Sequence, residues 1–182
     1  MSSGEPKLGK RRGGLKSVLA STIIAFAALL SGAEMGQAAE FSVHAGRYNT
    51  EHSYVDGPVV VGFEVRLDTI ELWHPSWGEL IPAFGVLGTA SEEVYYLYSG
   101  FRLQVPLGCR WRLTPHLAAG WYDEGAGQDL GGSVEFRSGL ELAYRIKQKV
   151  LVGLDFYHLS NAVLYDFNPG ANSIVLSLSF GL

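Results

Sequence analysis

The chain has 182 residues, a formal net charge of −4, 12% aromatic residues and only 18% charged residues. That length fits one domain with a single core or a single barrel, and the acidic balance, with no basic patch interleaved with aromatics outside the N-terminal segment, gives no footprint for nucleic acid. A lone cysteine, Cys109, excludes an internal disulfide framework and a cysteine-rich metal site.

The N-terminus reads as an address. Lys7, Lys10, Arg11, Arg12 and Lys16 precede an apolar run from Val18 to Leu30, after which small residues lead to Gly36-Gln37-Ala38-Ala39. Basic region, apolar region and small-residue site in that order are the signature of a secretory signal peptide. The run is shorter than the roughly 20 apolar residues of a spanning helix, so cleavage after Ala38 or Ala39 is expected, leaving residues 40–182 as the mature domain.

From Phe41 onward the periodicity is two, the period of a strand with one apolar face. The first predicted strand alternates Phe41, Val43 and Ala45 with Ser42, His44 and Gly46; the second alternates Val59, Val61, Phe63, Val65 and Leu67 with Val60, Gly62, Glu64 and Arg66. The third, around Leu80 to Leu87, contains Pro82, which removes a ladder donor and makes it the weakest of the set. The fourth runs from Tyr95 to Val105 and the fifth from Trp111 to Ala119. In the sixth, Val134, Phe136, Leu140, Leu142, Tyr144 and Ile146 oppose Glu135, Arg137, Gly139, Glu141 and Arg145. The seventh spans Val150 to Ser160, and the last sets Ile174, Leu176, Leu178 and Phe180 against Ser173, Ser177 and Ser179.

Alternation suits a soluble sandwich, with the apolar face inward, or a membrane barrel, with that face toward lipid. Strands of about ten residues, short turns at Pro106 to Arg110 and Lys147 to Lys149, and aromatics near strand ends favour the barrel. The expected fold is therefore all-β, an eight-stranded antiparallel transmembrane β-barrel of the bacterial outer membrane, with an interior filled by side chains. Glu135, Arg137, Glu141 and Arg145 are expected to form a structural ion-pair network in the lumen. Trp73, Trp77, Trp111 and Trp121 are expected to be interfacial anchors, and His44, His52, His74 and His116 are scattered without ligand spacing.

With both termini on the periplasmic side, the seventh strand climbs outward. His158 and Ser160 then sit at its outer end, on the parity of Val150, Val152, Leu154 and Phe156, facing lipid at the depth of the outer-leaflet headgroups. A base and a nucleophile placed there suggest hydrolysis of an ester in a lipid anchor.

His158-Leu159-Ser160-Asn161-Ala162, followed by Asn168-Pro169-Gly170 and a terminal amphipathic strand, resembles the outer-membrane lipid A 3-O-deacylases, the PagL-type acyloxyacyl hydrolases. The match is concentrated in the last thirty residues or so. The resemblance implies a serine-esterase mechanism without metal or cofactor, acting on lipid A of lipopolysaccharide in the outer membrane: Ser160 as nucleophile, His158 as base, Asn168 as a candidate oxyanion donor. Asn161 also matches, and a turn-forming role suits it equally. The departure is at position 172, where the family pattern has a glutamate and this chain has Asn172. Asn172 shares the lipid-facing parity of Ile174 and can orient an imidazole, but it brings no charge; Asp166 in the preceding loop is the alternative source of one, whereas Asp155 points into the lumen. Two other readings stay open: a small structural barrel without enzymatic activity, and a soluble secreted barrel for an apolar ligand. Association of two barrels as a homodimer is also left open.

Overall fold

The computed structural model describes residues 39–49, 57–68, 72–89 and 91–181; the expected leader as far as Ala38, and His52, lie outside them. Eight strands follow in order: β1 Ala39–Arg47, β2 Val59–Leu67, β3 Glu79–Thr89, β4 Tyr95–Leu107, β5 Trp111–Asp123, β6 Val134–Lys147, β7 Val150–Ser160 and β8 Ala171–Gly181. Each pairs antiparallel with its neighbour in sequence, and β1 pairs with β8, so the sheet closes on itself. Closure leaves no strand edge with unpaired backbone groups, the condition for a sheet to sit in hydrocarbon. The first strand begins at Ala39, at the expected end of the leader.

The proline-containing third strand is as long as its neighbours, 11 residues. Its ladder to β2 stops at Arg66↔Ala83, so Pro82 lies where pairing on that side has ended, and its partner across β4 is Phe101. Pro115 of β5 likewise falls in a gap of the β4–β5 register, between Arg102↔His116 and Val105↔Leu113. A residue with no N–H is tolerated at such breaks.

The apolar parities face outward. Leu117, Trp121 and Leu176 are 57%, 61% and 61% exposed, and the same parity carries Leu154 and Phe156 on β7. Trp73 and Trp77 lie in the 68–78 connection and Trp111 starts β5, all at one rim, while Trp121 lies toward the other. All four are exposed, in keeping with interfacial anchors.

The lumen is a packed core of ions. Arg66, fully buried, reaches Glu40 at 2.5 Å, Glu64 at 2.7 Å and Glu141 at 2.8 Å. Arg102 bonds Glu64 at 2.5 Å, Arg137 donates to Asp155 at 2.8 Å, and His116 Nε2 lies 2.9 Å from the same carboxylate. Two of the four charges expected in this network, Arg137 and Glu141, belong to it. The other two are corrected: the carboxylate of Glu135, although buried, has no hydrogen-bond partner among the described residues, and Arg145 is exposed where β6 runs out of the barrel, donating to Gln148 O at 3.1 Å. Alternation assigned both to the inner side: Glu135 is buried there but away from the arginines of the network, while Arg145, at the strand end, is not held to the lumen by neighbours above and below.

Candidate active site

The rim formed by the β1–β2, β3–β4, β5–β6 and β7–β8 connections carries the sequence-predicted residues. His158 is the last but one of the outward row of β7, and its cross-strand partners are Ser138 on β6 and Asn172 on β8. Directly opposite residues on one face of an antiparallel pair have Cβ atoms about 5 Å apart. The imidazole has closed that gap toward β8: Nδ1 lies 2.8 Å from Asn172 Oδ1. A carboxamide oxygen only accepts, so Nδ1 carries the proton. In a neutral imidazole Nε2 is then left as an acceptor.

Gly170, just before β8, gives the ring its space. Its φ is +70°, and a Cβ there would lie 2.6 Å from His158 Cε1 and 3.1 Å from Nε2. Any larger residue would be strained in its backbone and would displace the imidazole. Gly170 O accepts from Gln128 Nε2 at 3.1 Å. Gln128 O in turn accepts from Tyr122 at 2.7 Å, and Tyr122 accepts from the Tyr48 hydroxyl at 2.8 Å. The Tyr48 phenol is held above its usual range, chiefly by burial and further by Tyr122 beside it. This chain of contacts ties Gly170 to two other loops of the same rim.

Ser160 is the next outward residue of β7, opposite Phe136. Residues i and i+2 on a strand are about 6.6 Å apart along the backbone, and among the described residues no hydrogen bond joins Ser160 to His158. Both are half-buried, on the face that meets lipid. The contact of His158 with the expected orienting residue is thus formed, while that between His158 and the expected nucleophile is open; contacts of that kind commonly tighten only with substrate.

The loop asparagines divide their labour. Asn161 is fully buried: its Nδ2 donates to Leu130 O at 2.8 Å and Phe167 O at 2.7 Å, and its Oδ1 accepts from Val163 N at 3.0 Å. Every polar atom of that side chain is spent on holding the loop, to itself and to the β5–β6 connection. Asn168 is exposed, and its Oδ1 accepts from Asn161 N at 3.2 Å, which leaves its NH2 free to turn outward. Asp166 is exposed in the loop, and the His158 Nδ1 site is occupied by Asn172. Asp155 is buried in the lumen on Arg137 and His116. Gly170 was not singled out from the sequence for contact with His158, although Asn-Pro-Gly signals a turn with a left-handed residue at its end.

A closed eight-stranded sheet, apolar outside and ionic inside, defines a transmembrane β-barrel of the outer-membrane kind. The model of the lipid A 3-O-deacylase (PagL) family matches residues 60–181. The chain belongs to that family, whose members are ester hydrolases. Its fold is similar to the crystal structure of the outer membrane enzyme PagL, at 17% identity and TM-score 0.62, covering 79% of this chain and 99% of that one. It is also similar to a de novo designed transmembrane β-barrel, at 12% identity and TM-score 0.52, covering 80% of this chain and 96% of the design. Among curated protein sequences, none matches the chain.

Proposed function

We propose that the chain removes the ester-linked 3-hydroxyacyl chain of lipid A in the outer leaflet, with Ser160 and His158 as its catalytic residues. The observation that supports this most is the His158–Asn172 contact at 2.8 Å on the lipid-facing side of the rim, with Ser160 next on the same face. Residues 1–39 serve as the secretory leader that brings the chain to that membrane.

Ser160 Oγ attacks the ester carbonyl while its proton passes to His158 Nε2, the nitrogen left unprotonated by the bond to Asn172. The Asn168 amide donates to the oxyanion that forms. Collapse of the tetrahedral intermediate breaks the bond to the sugar oxygen, which takes the proton back from Nε2 and leaves as a free hydroxyl. Water, deprotonated by the same Nε2, then attacks the acyl-serine, and the fatty acid is released with Ser160 restored. Asn172 fixes the tautomer throughout. It provides no negative charge to the imidazolium, so the transition state is stabilised less than by a carboxylate.

Expression of Ser160→Ala or His158→Ala should give a folded, heat-modifiable barrel and no loss of a hydroxyacyl group from lipid A in the mass spectrum, whereas the unaltered chain removes one. Deacylation persisting in both variants would sink the assignment.

A further inference from the structure

Gln128, in the β5–β6 connection, stands between the end of β1 and the residue that gives the His158 ring its space. Its side chain is half-buried, and both ends of its amide are engaged: Oε1 accepts from Asn49 Nδ2, and Nε2 donates to Gly170 O at 3.1 Å. Its backbone is pinned as well, since the Tyr122 hydroxyl donates to Gln128 O at 2.7 Å.

These contacts have a direction. A carboxamide has one accepting end and one donating end. Asn49 presents its NH2, which only donates, so the Gln128 amide turns its oxygen that way and its own NH2 toward Gly170. Turned over, it would set NH2 against NH2 on one side and oxygen against oxygen on the other. Asn49 is itself held in place. Its φ is +54°, a conformation that asparagine adopts more readily than most residues, and just before it Arg47 Nη1 and Tyr48 N donate to Gly57 O and Pro58 O at 2.6 and 3.0 Å.

The far end of the relay meets His158. Asn172 holds the ring at Nδ1, 2.8 Å away, and a single hydrogen bond leaves a ring free to tilt about it. The opposite edge rests on Gly170, so closely that a Cβ there would stand 2.6 Å from Cε1 and 3.1 Å from Nε2. Nε2 is the nitrogen that takes the Ser160 proton in the proposed reaction. Whatever fixes the Gly170 peptide therefore fixes the aim of that nitrogen.

We propose that Asn49 and Gln128 are positioning residues for the hydrolysis: the amide relay from Asn49 through Gln128 to Gly170 O holds the Gly170 peptide against the imidazole, an inference that rests on the reading of His158 as the base. Neither side chain touches the reacting atoms. Both act through the tilt and tautomer of one ring, and they make that ring depend on two other connections of the rim.

The test uses the whole barrel, labelled with 15N-histidine and refolded in detergent micelles, with a glucosamine lipid carrying a 3-hydroxyacyl ester as the probe. Gln128→Glu keeps the shape and the acceptor for Asn49 but has no donor for Gly170 O. Its kcat should fall about tenfold with KM held within about twofold. The His158 ring nitrogen signals, recognised by their absence in His158→Ala, should pass from a single Nδ1-protonated tautomer to an average of two. Asn49→Asp should do the same: aspartate also tolerates positive φ, but its carboxylate only accepts and so turns the Gln128 amide over. Adding Gln128→Lys to Asn49→Asp should restore the single tautomer and bring kcat back within about twofold of the unaltered chain, because an ammonium donates to the new carboxylate and to Gly170 O alike. An unchanged kcat in Gln128→Glu and Asn49→Asp, a fall in kcat with the His158 signals unmoved, or no recovery in the double variant would each overturn the relay. Turnover by Ser160→Ala would instead overturn the esterase reading of the site, and the ring signals, which need no turnover, would still decide the relay.

Discussion

Asn172 accepts a hydrogen bond from His158 Nδ1 as a carboxylate would, but without charge. A hydrogen bond to a charged partner is stronger than a neutral one by about 1 kcal/mol or more, and 1.4 kcal/mol is a factor of ten in rate. Asn172→Glu should therefore raise kcat by about tenfold, measured as the initial rate of fatty acid release; an unchanged or lower rate would mean that imidazolium stabilisation does not limit turnover. Gly170 makes the opposite case. The Cβ of Gly170→Ala would sit 2.6 Å from the imidazole, and misplacing a reacting group by about 1 Å can cost a hundredfold. Loss of that order in kcat, with the barrel still folded by heat-modifiable migration, is expected. The sequence carried His158, Ser160 and Asn172 because strand parity puts them on one face and their spacing across the last turn makes β7 and β8 neighbours. It could not carry the contact of Gly170 with the ring, which depends on how the 161–170 loop returns to β8.

Among the elements, the strands were legible because alternation is a property of sequence alone: one parity must be apolar if the other is ionic. Two misassigned charges mark where that rule stops. Glu135 and Arg145 obey the parity of β6 but lie near its ends, where pairing partners in the lumen are a matter of barrel depth and not of alternation. The prolines in β3 and β5 were also ambiguous, since the gaps that accommodate them arise from stagger between strands. The ion network is what couples the strands from inside: Arg66 of β2 reaches carboxylates on β1, β2 and β6. Removing it in Arg66→Ala leaves three carboxylates without their shared cation, and breaking a buried ion cluster in this way costs about 3–5 kcal/mol. Urea unfolding of the refolded barrel should show a fall of that size. A fall below about 1 kcal/mol would mean that the charge is taken over by water, by Arg102, or by Arg112 of β5, which already bonds Glu40 at 2.7 Å.

For the whole molecule, the decisive question raised by the pattern was which side of the sheet meets lipid, and closure with ions inside answers it. Leu176, 61% exposed, lies among the outward residues of β8. In a bilayer, Leu176→Arg should cost about 2–4 kcal/mol if the position is near the midplane and less toward a rim, read from urea titrations of folding into vesicles. A soluble barrel would tolerate the same change at a surface leucine within about 0.5 kcal/mol, so the two outcomes separate the architectures.

The filled lumen has a consequence for how such a molecule meets its reactants. With Arg66, Arg102, Arg137 and their carboxylates packed through the interior, nothing can be supplied to the site from within. Lipid must arrive by lateral diffusion in the plane of the leaflet, and the water that completes hydrolysis must come from the aqueous phase above the rim. The two reactants approach in different dimensions, one counted as a mole fraction of a surface and the other as a bulk solvent, and they meet at the proposed nucleophile, Ser160.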